Sequence, residues 1–96
     1  MTDPVDIKEV LKKHYLLVSG RREGQRANLT SQDLSGLNLS GINLRTLIAP
    51  GADFSRCGLV ETNFSDADLF TVNFDNSNCE RANFLNADIR GASFNG

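Results

Sequence analysis

The side chains that most often carry chemistry are few in this sequence, and their spacing does not gather them. The 96 residues include one histidine, His14, and two cysteines, Cys57 and Cys79. His14 has no ligand-spaced partner, so it reads as structural rather than as a catalytic or metal-binding group. The cysteines form no Cys-x-x-Cys pair, which argues against zinc and against a dense disulfide framework. They read as buried reduced thiols behaving as small hydrophobes, and nothing demands a disulfide between them. No nucleophile–base pair, carboxylate–histidine cluster or phosphate loop with a lysine occurs. The sequence therefore predicts no enzyme, with no catalytic, cofactor-binding or metal-binding residue and no small-molecule substrate.

Charge narrows the partners. The net charge is −2, too close to neutral to argue for nucleic acid or a membrane surface. Residues 1–26 carry a balance of +2 and residues 27–96 one of −4. No apolar run approaches a membrane span, and Met1-Thr2-Asp3-Pro4 lacks a signal-peptide profile. A reducing, cytoplasmic setting is expected.

The elements that must position these groups follow from a repeat. Stepping by five from Leu29 to Phe94 gives fourteen positions, none of them charged or polar. Two residues before each lies a second set, mostly small: Ala27, Ala52, Cys57, Ala67, Ala82, Ala87 and Ala92 among them. Between the two sets lies Asn or Asp in most units. A period of five fits neither a helix nor a simple strand. Two inward positions two apart define a short extended edge, and the remaining residues must turn the chain. Pro50-Gly51 suits the two central sites of a type II turn, and Ser35-Gly36, Ser40-Gly41 and Arg90-Gly91 fall at the same place. These glycines are therefore corners. The reading is a turn-rich solenoid.

Units such as Ala27-Asn28-Leu29, Ala67-Asp68-Leu69 and Ala82-Asn83-Phe84 closely resemble the pentapeptide-repeat family. The resemblance implies an all-β solenoid, a right-handed quadrilateral β-helix of about twenty residues per coil. Residues 27–96 would make about three and a half coils, a rod on the order of 17 Å long. Phe54, Phe74 and Phe94 should form one inner column and Phe64 and Phe84 another. Some members of the family resemble duplex DNA, bind bacterial DNA gyrase and protect it from quinolones. DNA carries about one charge per 1.7 Å, so a body of charge −4 with scattered arginines disfavours that role here.

Residues 1–26 are expected to form a capping helix and linker, with the helix over 3–18. Thr2 or Asp3 would cap it, Pro4 suits its first turn, and Gly20 would end it. Ile7, Val10, Leu11, His14, Leu17 and Val18 share one face, which should cover the open first coil. The chain stops at Gly96 without a capping helix. A fragment of a longer protein, or end-to-end dimerisation through the last coil, is preferred over simple fraying of the last turn.

Among the columns, Asn43, Asn63 and Asn83 should stack as a ladder whose amides bond from coil to coil. Arg81 should lie over Glu61. The outward positions are almost all polar, with Ile48, Val60, Phe70 and Leu85 as the exceptions. Ile48, Pro50 and Phe70 fall on one side and Leu85 at the end of the preceding side, which suggests an apolar patch around one corner. These four residues are the candidate protein contact. The functional expectation is a non-enzymatic interaction or scaffold module that self-associates or binds a protein partner. An accessory domain of a longer protein is the remaining alternative.

Overall fold

The computed structural model describes residues 6–96. One helix, α1, spans Ile7–Val18. Its start differs from the expected residue 3: Asp6 is the N-cap, extended at φ −84° and ψ 98°. The Asp6 carboxylate accepts the Glu9 N–H at 3.2 Å, so an orphan donor of the first turn is satisfied here. Thr2, Asp3 and Pro4, expected at the cap, lie outside the described residues. At the other end the Gly20 N–H bonds Leu17 O and the Arg21 N–H bonds Leu16 O. With Gly20 at φ 80°, this is a Schellman stop. Ile7, Val10 and Leu11 pack on the solenoid core, and His14 on the same face is fully buried. Lys8, Lys12 and Lys13 face solvent.

From Ala27 onward the chain winds in coils of twenty residues. Asn28 bridges Ile48, Ile48 bridges Asp68 and Asp68 bridges Asp88, all in parallel. The same step links Asn43 to Asn63 to Asn83. Each bridge is isolated, and the described residues contain no continuous strand. That refines the all-β expectation: a side has only three extended residues before the next corner, so its ladder cannot grow past one residue. The bonds nevertheless run both ways. Leu29 N–H donates to Ile48 O at 2.7 Å, and Ile48 N–H donates back to Ala27 O at 3.1 Å.

Corners repeat every five residues. At the first, the Gln32 N–H returns to Leu29 O at 3.0 Å, and Ser31 between them has φ 58°. Positive φ at the third residue is the type II signature. Glycine takes that place at Gly36, Gly41, Gly51 and Gly91, but nine other corners use residues with a Cβ. At seven of the nine, all but Arg81 and Asn86, the same residue's N–H reaches the next coil, as Thr71 does to Arg90 O at 2.9 Å. The left-handed region costs a side chain about 1–2 kcal/mol, most of all when it is β-branched. Thr71→Asn should therefore stabilise the protein by about 0.5–1 kcal/mol, since asparagine tolerates that region. Calorimetry should show a melting midpoint several degrees higher; an unchanged or lower midpoint would mean the corner is not strained.

The interior is solid. Phe54 and Phe74 stack at 5.6 Å, Phe74 and Phe94 at 4.9 Å, and Phe64 and Phe84 at 5.3 Å. Neighbouring columns meet edge to face, as between Phe54 and Phe64 at 5.7 Å and 86°. Both arrangements suit the ring quadrupole. Polar groups turned inward are satisfied: Thr62 Oγ1 donates to Leu39 O at 2.8 Å, and Cys57 Sγ to Leu34 O at 3.1 Å. Both cysteines are free thiols, Cys57 buried and Cys79 half-buried. Burial raises the Cys57 pKa, which keeps the thiol protonated and unreactive.

Two details depart from expectation. Leu37, in an inward register, is 40% exposed, because its coil is the first and α1 does not cover it fully. The asparagine column stacks, but its amides do not bond between coils. Asn43, Asn63 and Asn83 each accept, through Oδ1, the N–H two residues ahead, at 3.1, 2.9 and 2.9 Å. A local five-residue unit always offers that N–H, so the Asx turn forms in place of the amide ladder. Asp33, Asp53, Asp68, Asn73, Asn78 and Asp88 repeat the contact.

Candidate interaction surface

The candidate contact residues follow the twenty-residue columns. Phe70 stands in the column Thr30, Pro50, Phe70, Arg90, on the outer surface beside the inward Leu69. It is 45% exposed. Arg90 lies over its ring, with the guanidinium carbon 5.6 Å from the centroid. The same guanidinium holds Asp88 through Nε–Oδ1 at 2.9 Å and Nη2–Oδ2 at 2.8 Å. Those bonds, with the Arg90 N–H, hold the Asp88 pKa down at about 2. The pairing is thus present above the ordinary carboxylate range and fades as pH falls toward 2. Arg90 covers part of the ring that the sequence left bare. The same column arithmetic, twenty residues on from Phe70, leads to Arg90.

Ile48 shares that side but is half-buried, since its backbone is held in the ladder between Asn28 and Asp68. Leu85 is the most exposed of the four at 67% and ends the preceding side. Val60 belongs to the opposite side of the coil. It is half-buried, and its N–H is bonded to Ser40 Oγ at 3.1 Å. Arg81 reaches Glu61 at 3.9 Å, as its column predicts, and Glu80 at the same distance. These pairs are exposed and contribute about 0–1 kcal/mol.

A second surface is formed by the last coil. Ile89 and Phe94, inward by register, are 42% and 46% exposed, and Cys79 and Phe84 are half-buried. Inside the rod every large inward residue donates its N–H to the following coil, as Phe64 does to Asn83 O at 2.7 Å. Among the described residues the N–H groups of Cys79, Phe84 and Ile89 have no such backbone acceptor, and the carbonyls of Ala82 and Ala87 have no such donor. On each side the carbonyl of the small residue and the N–H of the large one point the same way, two residues apart. That is the pair of groups two antiparallel strands exchange. Next to it, the side turned toward Phe94 is tied by Asp75, whose carboxylate accepts from Ser93 Oγ and from the Asn95 N–H. These bonds lower the Asp75 pKa.

The clefts are shallow. The larger, about 540 Å³, lies open between α1 and the first coil, bordered by Ile7, Leu11, Asp33 and Leu37. Among the described residues no group of three His, Cys, Asp or Glu side chains gathers to hold a metal ion. No described helix is long and apolar enough to cross a membrane.

A sequence model of pentapeptide repeats matches the chain in eight copies, over residues 25–59, 38–76 and 67–96. The chain belongs to the pentapeptide-repeat family. Membership implies a right-handed β-helix or solenoid, in keeping with the parallel bridges at twenty-residue intervals. It is also consistent with a non-enzymatic repeat protein. No curated protein sequence matches the chain.

Proposed function

We propose that this pentapeptide-repeat chain is a non-enzymatic interaction module, and that its contact is a second copy of itself joined through the last coil. One observation carries the reading: a row of backbone donors and acceptors without backbone partners among the described residues, bordered by the exposed side chains of Ile89 and Phe94. A sheet edge of this kind is a template for another chain. Two copies related by a two-fold axis across the rod present antiparallel edges to one another, so the same surface serves both partners. The two free cysteines fit a reducing, cytoplasmic setting.

Sedimentation of wild type, Ile89→Lys and Phe70→Asp tests the reading. Wild type should dimerise at micromolar to hundreds of micromolar protein, Ile89→Lys should be monomeric, and Phe70→Asp should dimerise as wild type does. A monomeric wild type throughout that range removes the proposal. Loss of the dimer in Phe70→Asp alone would move the contact to the apolar corner.

A further inference from the structure

The sole histidine is fully buried at the junction of two elements. Its Nδ1 accepts the Ala27 N–H at 2.9 Å, at the first residue of the solenoid. Its Nε2 lies 2.9 Å from Arg45 O, where the first coil closes. An amide can only donate and a carbonyl can only accept. The ring must therefore be neutral, with its single proton on Nε2. These two bonds tie α1 to both the start and the close of the first coil.

We propose that His14 is an acid-opened latch, and that protonation of its ring releases α1 from the first coil. A second proton has only Nδ1 to occupy, where it would point at the Ala27 N–H. One bond is then lost and two donors face each other. Two charged groups near the ring oppose the proton: Arg26 on the connecting segment and Arg45 on the first coil. Burial works in the same direction. The His14 pKa is held below its ordinary value, first by desolvation and then by the two arginines, against the Arg45 carbonyl bond that raises it.

The sign follows from linkage. The docked helix keeps the ring neutral while the released helix lets it titrate at about 6.5. Docking is therefore whole above that pH and weakens as pH falls below it, by up to about tenfold in the equilibrium constant per pH unit. Asp33, Asp75 and Asp88 have lowered pKa values and stay charged through that window. Release uncovers the first coil, where Leu37 is already half in solvent and where Ile7, Val10 and Leu11 now pack.

Amide hydrogen exchange on the intact chain at pH 7.5, 6.5, 5.5 and 4.5, corrected for intrinsic rates, reads the latch directly. In wild type the amides of residues 11–18 should open about tenfold more per pH unit below 6.5, while the Phe54 and Phe64 amides stay protected. His14→Gln, which can donate and accept but does not titrate, should lose that slope. Equal slopes in the two proteins, or helix and rod opening together, would overturn the proposal. Should Gln at 14 undock the helix at every pH, the wild-type imidazole resonance decides: the single histidine must titrate below 6.5 with its proton on Nε2. A titration at or above the ordinary value also overturns it.

Discussion

Phe74→Asp should leave the chain unfolded at 25 °C, whereas Asn76→Asp, two residues away, should move the melting midpoint by no more than a few degrees. Phe74 is 1% exposed and sits in the middle of its column, stacked on Phe54 and Phe94 and edge-on to Phe64 and Phe84. Removing such a ring costs about 3–5 kcal/mol for the packing alone. A carboxylate placed there has no partner among these rings and adds the penalty of an isolated buried charge. A 96-residue chain has about 5–10 kcal/mol of stability to lose. The two costs together meet or exceed that. Asn76 is exposed, in the left-handed region at φ 60°, which aspartate also tolerates. Its change should stay within about 0.5 kcal/mol. Circular dichroism melts of the two variants decide the matter, and equal tolerance would mean the inward register is wrong.

Gly24→Ala should loosen α1 while leaving the rod folded. Gly24 fits against the helix so closely that a Cβ there would fall on the backbone of Leu16 and Leu17. Backbone cannot rotate aside as a side chain can, so the connecting segment or the helix must move. Overpacking of this kind costs about 1–3 kcal/mol and more when the obstacle is rigid. The bonds that would resist the move are few: His14 to Ala27 and Arg45, and Gln25 N–H to Lys13 O at 3.0 Å. Each contributes about 0.5–1.5 kcal/mol. The strain is thus of the same size as these bonds, and docking should weaken by about tenfold while Ile7, Val10 and Leu11 still draw the helix to the core. Proton exchange in residues 11–18 should quicken at neutral pH, and the His14 resonance should move toward that of a free imidazole. Unchanged protection in α1 would mean the connecting segment yields instead. The rod ladder amides should keep their protection in either case.

What the residues reveal, and what they hide, divides by the range of the interaction. The five-residue period places Phe54, Phe64, Phe74 and Phe84 correctly because an inward position is set by its own unit, whichever coil it joins. The pairing of Arg81 with Glu61 follows from the same count of twenty. The asparagine column shows the limit. Its stacking is legible, but its bonding is not, because the Asx turn at two residues competes with an amide ladder at twenty and wins on proximity. Ends are harder still. Leu37, Ile89 and Phe94 obey the period and yet are exposed, since burial needs a neighbour above and below: α1 covers the first coil only in part, and among the described residues nothing covers the last. The sequence starts α1 at residue 3, whereas the extended backbone at Asp6 makes that residue the N-cap, a choice the residue types alone do not make. His14 bonds two partners that the sequence does not reveal, because they are 13 and 31 residues away and belong to no repeat. The contact of Arg90 with Phe70 is within reach of the column count and shows how an outer apolar residue can be covered from inside its own chain.

If the last coil's unpaired edge takes a second copy, its amides must gain partners as the protein is concentrated. Residue-resolved amide exchange at two protein concentrations, near one micromolar and near one millimolar, tests this most directly. The N–H groups of Phe84 and Ile89 have no backbone acceptor among the described residues. They should exchange quickly in the dilute sample and become protected in the concentrated one. The Phe64 N–H, bonded to Asn83 O at 2.7 Å, should be protected in both. Fast exchange of Phe84 and Ile89 at both concentrations would contradict pairing through the last coil.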